Sequence, residues 1–294
     1  MNNLSRRDAL KLSASALALS ALPGGSLRAA RTAAGEDIAF GLVTYQWGKD
    51  WDLPTLIANC EKTKALGVEL RTTHAHKVEP NLTEAQRNDV RKRFGDSNVT
   101  LVGLGSTERF DDPDAAKLKA AIEATKQFIR LSHDVGGSGV KVKPDSFHAN
   151  VPREKTIEQI GKALNELGQY AAGFGQQVRL EVHGQCAELP TIAAIMKIAT
   201  DTNVAVCWNS NLEDLKGAGL EANFESVRKR FGHTLHVREL NDAKYPFAKL
   251  IELLVKTDYA GWVLLEASSA PKDLVASLAE QRALFDKFIA ATKK

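Results

Sequence analysis

The chain has 294 residues, with 39 Lys and Arg against 36 Asp and Glu and a net charge of +3. That small excess, without a basic stripe carrying interleaved aromatics, excludes a nucleic-acid partner from the expectations. The three widely spaced cysteines, Cys60, Cys186 and Cys207, fit neither a disulfide framework nor a zinc-finger spacing and read as small buried apolar residues.

Residues 1–34 read as an export signal and linker rather than as part of the fold. Ser5-Arg-Arg-Asp-Ala-Leu-Lys11 precedes an apolar run over 12–22 and then Pro23-Gly-Gly25. This is the pattern of a twin-arginine signal, with Ala9 where an aromatic is usual. The run is too short to span a bilayer. Cleavage is expected after Ala30 or Ala34, and no cysteine lies nearby to carry a lipid anchor. The expectation is a periplasmic protein with no membrane attachment once cleaved.

From residue 38 strand and helix patterns alternate to the end. Strands are expected over 38–44, 68–72, 99–104, 139–142, 178–182, 204–208, 234–237 and 262–265. Helical periodicity falls at 53–66, 83–94, 114–135, 155–173, 190–200, 224–231, 247–257 and 272–291. Asp52 and Pro54 open the first helix, and Thr83-Glu-Ala-Gln86 is a capping box. Eight strand–helix units predict an α/β chain folded as a single (β/α)8 TIM barrel over 37–292. An open doubly wound sheet would not need eight units. Gly103-Leu-Gly105 lacks the third glycine of a phosphate turn and reads as barrel packing.

Strand parity then sorts the side chains. If the apolar set of each strand faces the helices, Glu69, Arg71, Lys141, Lys143, Arg179, Glu181, His183, Cys207, Asn209, His236, Arg238 and Glu266 face into the barrel. Charge crowds the C-terminal strand ends, where barrel active sites form. The plain alternative is pairing within the barrel, Glu69 with Arg71 and Glu181 with Arg179. Glu181, Asn209, His236 and Glu266 end strands five to eight. Their mixed oxygen and imidazole donors suit one divalent ion, Mn²⁺ foremost, or Zn²⁺, Co²⁺ or Mg²⁺.

Glu181-x-His183 on strand five, His236-x-Arg238 on strand seven and Glu266 closing strand eight resemble the xylose-isomerase-like TIM barrels, the sugar phosphate isomerase/epimerase superfamily, along the whole folded region. The resemblance implies Glu181, Asn209, His236 and Glu266 as metal ligands, with Glu181 and Glu266 as acid/base carboxylates. It also implies proton removal next to a carbonyl, with isomerase, epimerase, lyase or dehydratase outcomes. Asn209 departs from the usual Asp, Leu212 from a usual His, and Arg238-Glu239 from the usual Lys-Asp.

Around this set, His183 is expected as an acid/base partner or hydroxyl binder, or as a residue orienting Glu181. Lys143 and Arg238 are expected to bind substrate oxygens. His74 and His76 follow strand two and are expected either to line the mouth, with His74 as the substrate-binding candidate, or to be plain solvent contacts. Tyr45 and Trp47 offer a sugar-stacking platform, and such an aromatic rim is equally compatible with a homo-oligomer contact. Export favours a neutral carbohydrate over a sugar phosphate. The leading expectation is a metal-dependent sugar isomerase or epimerase. The alternatives are a 3-keto-glycoside lyase or dehydratase using the same site, and a carbohydrate-binding barrel without metal.

Overall fold

The computed structural model describes Gly35 and residues 37–293, so the expected export signal lies outside the described residues. Strands and helices alternate as β1 Ile38–Val43, α1 Leu53–Thr63, β2 Gly67–Arg71, α2 Glu84–Gly95, β3 Thr100–Arg109, α3 Ala115–Val135, β4 Gly139–Lys143 and α4 Arg153–Ala172. The second half continues as β5 Gln177–Glu181, α5 Leu189–Ile198, β6 Val204–Cys207, α6 Leu220–Val227, β7 Thr234–Val237, α7 Phe247–Lys256, β8 Gly261–Leu265 and α8 Leu274–Ala291. Every paired strand runs parallel to its neighbour, in the order β6-β5-β4-β3-β2-β1-β8-β7. The α/β barrel expected from the sequence is the observed fold.

The ring closes between β6 and β7 through isolated bridges, Val206 with Phe231 and Asn209 with His236. The backbone bonds of this seam run from Gly232 N to Val206 O (2.9 Å), His236 N to Trp208 O (2.6 Å) and Ser210 N to His236 O (3.1 Å). Two of the expected metal ligands therefore sit on the closure itself.

Local chemistry sets the elements. Asp52 accepts from the Thr55 N–H at the start of α1, and Thr83 with Gln86 forms the expected capping box on α2. α7 buries Phe247, Leu250, Ile251, Leu254 and Val255, the i, i+3, i+4 spacing of one apolar stripe. The helix-facing strand residues Val68, Leu70, Val140, Val142, Leu180 and Val263 are fully buried against such stripes.

Some boundaries move. α1 stops at Thr63, short of 66, because Lys64 takes a left-handed conformation (φ 61°) that turns the chain into β2. β3 runs on to Arg109, past the expected 104, with its register against β4 shifting between Gly105 and Arg109. The helix expected over 224–231 is α6 at Leu220–Val227, followed by a short turn at Arg228–Arg230. Among the described residues no helix is long and apolar enough to cross a membrane.

Candidate active site

β5 ends on Glu181, β7 carries His236 on its third residue, and the chain leaving β6 and β8 delivers Asn209 and Glu266. All four side chains are buried. Glu181, His236 and Glu266 each bring a ligand atom to within 4.8 Å of the others. Asn209 Nδ2 donates to Glu181 Oε1 at 2.8 Å and to Glu266 Oε2 at 3.1 Å, bridging the two carboxylates.

Ligation by Asn209 would use its amide oxygen; in this structure the amide nitrogen faces the carboxylates, and Oδ1 has no hydrogen-bond partner among the described residues. Two buried carboxylates repel each other, and the two amide N–H groups relieve that repulsion. Half a turn of the amide would exchange nitrogen for oxygen in nearly the same volume.

Beneath this group lie two residues that parity places inside but that the sequence does not mark as part of the site. Lys141 Nζ is 2.8 Å from Glu181 Oε2, and Glu69 Oε1 is 3.3 Å from His236 Nε2, all fully buried. β3 makes room for them. A Cβ on Gly105 would lie 2.9 Å from Glu69 Oε1 and 3.6 Å from Lys141 Cε, so this bare position lets long side chains from β2 and β4 meet. The alternative pairings are not formed. Arg179 gives its guanidinium to Val102 O, Ser138 Oγ and Gln177 Oε1, and Arg71 lies over the Tyr45 ring.

Burial disfavours every one of these charges, and the neighbours decide the outcome. Burial pushes the Glu181 carboxyl up, but the Lys141 ammonium and then His236 hold it well below the usual range. Glu69 is likewise lowered against its own burial, by His236 before Lys141 and Arg179. Burial opposes charge on His236, yet the Cys207 sulfur and the Glu69 and Glu181 carboxylates hold its proton affinity well above the usual imidazole value.

The donor set fits a divalent ion. Asn209 Oδ1 and His236 Nδ1 are buried without a hydrogen-bond partner among the described residues, while His236 Nε2 is held by Glu69 Oε1 at 3.3 Å. Unsatisfied polar atoms converging on two carboxylates and an imidazole are the donors of an oxygen–nitrogen metal site. Glu181, His236 and Glu266 would hold the ion, and Asn209 would join through Oδ1 after the amide turn.

The mouth is built by the loops after β1, β2, β4, β5 and β7. His183 Nδ1 lies 2.8 Å from Asp145 Oδ1, and its Nε2 faces Lys143 Nζ at 3.3 Å. Asp145 is also paired with Arg109 and has a left-handed backbone (φ 62°). Gly184 allows this contact, because a Cβ there would stand 2.4 Å from Asp145 O. Nothing in the sequence signals Asp145, which lies in an irregular segment. Arg238 gives Nη1 to the Glu266 carbonyl at 3.4 Å. Tyr45 is half-buried beneath Arg71.

Two aromatic and histidine expectations change. Trp47 is 2% exposed and donates its indole N–H to Ser269 O at 2.8 Å, which ties the loop after β1 to the loop after β8 and leaves no face for a sugar. His76 is buried rather than solvated, with its ring bonded to Arg71 O and to the Val78 N–H. His74 is half-buried, 3.3 Å from Thr44 Oγ1, and burial followed by His76 and Arg71 pulls its pKa down to about 4.

A profile of the xylose isomerase-like TIM barrel family matches residues 57–287. The chain belongs to that family. No curated protein sequence matches it. Among solved structures it is similar to L-ribulose 3-epimerase (TM-score 0.74, 15% identity, 86% of this chain and 95% of that one). It is also similar to the 3-keto-D-glucoside 4-epimerase YcjR from E. coli (TM-score 0.73, 13% identity, 85% and 99%). A third is the IOLI protein with a bound zinc atom (TM-score 0.71, 14% identity, 87% and 98%). At these identities the likeness is one of fold. Within the xylose isomerase-like barrel the observed site occupies the C-terminal strand ends, as the fold class leads one to expect.

Proposed function

We propose that this chain is a divalent-metal-dependent enzyme that removes the proton next to a sugar carbonyl and returns it elsewhere, as an isomerase or epimerase. The observation that carries the reading is the convergence of buried Glu181, His236 and Glu266 at the barrel mouth. A bound divalent ion supplies Lewis-acid polarisation of the carbonyl and its neighbouring hydroxyl.

The chain's own residues divide the remaining work. Glu181 is held ionised by Lys141, which makes it a good ligand and a weak base. Glu266 has no ammonium contact of that kind and is the better group to take the carbon-bound proton. In isomerisation the carboxylic acid so formed returns the proton to the neighbouring carbon, while the hydroxyl proton passes between the two enediol oxygens. In epimerisation Glu266 keeps the abstracted proton, and a second acid on the opposite face gives its own proton to the same carbon. His183, oriented through Nδ1 by Asp145, sets its Nε2 beside Lys143 Nζ, and the two together are the groups to bind a substrate hydroxyl. If a leaving group departs instead of a proton returning, the same site is a lyase or dehydratase.

The Asn209 bridge favours a second reading, a carbohydrate-binding barrel that needs no metal. One experiment separates them. Chelator-treated protein is reloaded with Mn²⁺, Zn²⁺, Co²⁺ or Mg²⁺, and its metal content is measured. Exchange of carbon-bound hydrogen in D₂O is then followed by NMR with ketoses and 3-keto-glycosides, which also reveals any elimination product. Stoichiometric metal, with exchange abolished in Glu266→Gln and Glu181→Gln, is the expected result. No retained ion under any loading and no exchange would overturn the enzyme reading.

A further inference from the structure

Glu69 reaches into the barrel from β2, and its carboxylate is fully buried. Among the described residues its ion-pair contact is to His236 alone, with Oε1 3.3 Å from Nε2. The Lys141 ammonium sits on Glu181 instead, at 2.8 Å. Arg179 gives its guanidinium to Val102 O, Ser138 Oγ and Gln177 Oε1. A carboxylate buried without an ammonium or guanidinium against it is costly, and the barrel nonetheless makes space for this one. A Cβ on Gly105 would stand 2.9 Å from Glu69 Oε1. Between β2 and β7 the wall is formed by Gly41 on β1 and Leu264 on β8, in register with Gly67 and His236. Neither of those side chains can compete for the imidazole.

The imidazole has two different sides. Nε2 faces Glu69, whereas Nδ1 lies 3.6 Å from Glu181 Oε1 and 3.8 Å from Glu266 Oε2 and has no hydrogen-bond partner among the described residues. Ligand atoms that are each about 2.1 Å from one ion stand roughly 3–3.5 Å apart. Nδ1 is therefore close to the spacing of an ion shared with the two carboxylates, and Nε2 points away from it. A neutral imidazole that ligates through one nitrogen carries its proton on the other, and that N–H needs an acceptor. The other polar neighbour on this side is Cys207. Its Sγ lies 3.9 Å from the Thr234 hydroxyl and 3.7 Å from Trp208 O, and sulfur is a weak acceptor.

We propose that Glu69 is a positioning residue, which accepts the Nε2 proton of His236 and so aims the Nδ1 lone pair at an ion shared with Glu181 and Glu266. This rests on the reading of the site as a metal centre. Glu69 touches neither the ion nor the substrate; it acts across two intervening strands by fixing which nitrogen of His236 is free to ligate.

The test is long-range proton–nitrogen NMR of the full chain labelled with nitrogen-15 histidine, with and without Zn²⁺, together with Zn²⁺ titration. The His236→Gln spectrum identifies the His236 signals. On loading, wild-type His236 is expected to show a protonated Nε2 and an unprotonated Nδ1 shifted by the ion. In Glu69→Leu the acceptor is gone, so Zn²⁺ affinity should fall about 10–100-fold and the Nε2–H form should no longer dominate. Glu69→Gln keeps an acceptor oxygen and should recover the wild-type ring form and most of the affinity. Cys207→Ala should leave both unchanged. Ligation through Nε2 in the wild type, a ring form that depends on Cys207, or an unchanged ring form or affinity in folded Glu69→Leu overturns the proposal. A role in packing alone would lower the melting temperature of Glu69→Leu without moving the ring form. If Glu69→Leu does not fold, the wild-type and Cys207→Ala spectra decide. Zn²⁺ held through Nε2 would leave the metal-enzyme reading standing, whereas no divalent ion retained under any loading overturns both.

Discussion

Lys141 Nζ lies 2.8 Å from Glu181 Oε2, and each side chain is only 1% exposed. A buried pair of this kind repays its desolvation only while both partners are present. Lys141→Met should therefore cost about 3–5 kcal/mol of unfolding stability in metal-free protein, because the buried Glu181 carboxylate loses its ammonium partner. Excess divalent ion should restore part of the loss by occupying the same carboxylate. Thermal melts with and without chelator check this, and an unchanged midpoint would show that Lys141 does not hold Glu181.

Asn209→Asp should raise divalent-ion affinity about tenfold or more, because ligand charge is a main determinant of affinity at oxygen-rich sites. The same change removes the N–H bridge between Glu181 and Glu266, so the metal-free variant should melt below the wild type. Titration calorimetry with Mn²⁺ and a chelated melt test the two halves. An affinity at or below that of the wild type would mean that Asn209 stands outside the ligand set.

The loop after β6 carries a buried acid, Asp214, which accepts from the Tyr245 hydroxyl at 2.7 Å and the Asn211 N–H at 3.0 Å. Burial raises its pKa from 3.8 to about 7. The folded value exceeds the unfolded one, so its contribution is fully present below pH 3.8 and is lost as pH rises through about 7. Asp214→Asn keeps an acceptor for both bonds and abolishes the titration. The stability of the variant relative to wild type should rise by roughly 2–3 kcal/mol between pH 5 and pH 8. Urea unfolding at the two pH values measures it, and a pH-independent difference would refute the assignment.

Trp47→Phe should cost about 1 kcal/mol of stability, the worth of the lost bond to Ser269 O. KM for any turned-over sugar should stay within about twofold of wild type, because the buried indole offers no stacking face. A tenfold rise in KM without loss of stability would return Trp47 to the substrate.

Period and parity made most of the barrel legible. Eight apolar strand cores, Asp52 and the Thr83 box marked the elements, and alternation along β5 put Glu181 inside without any knowledge of its neighbours. What was not legible depends on distances across the ring. Nothing local distinguishes Lys141 from Lys143, yet one is sealed against Glu181 and the other stands half-open beside His183. The difference comes from the empty Gly105 position on the strand between β2 and β4. Trp47 misled because an aromatic after a barrel strand looks the same whether its ring faces solvent or anchors a loop. Asn209 was correctly placed, but which end of its amide faces the carboxylates depends on charges from two other strands.

The seam between β6 and β7 gives the site a mechanical side. It is held by isolated bridges rather than a continuous ladder, and one of them joins Asn209 to His236. Whatever those two side chains grip also clasps the hoop at its thinnest join. Loading the site and opening the cylinder are thus opposing equilibria, and amide hydrogen exchange at His236 and Ser210 should slow on loading more than exchange in the β1–β2 ladder on the far side.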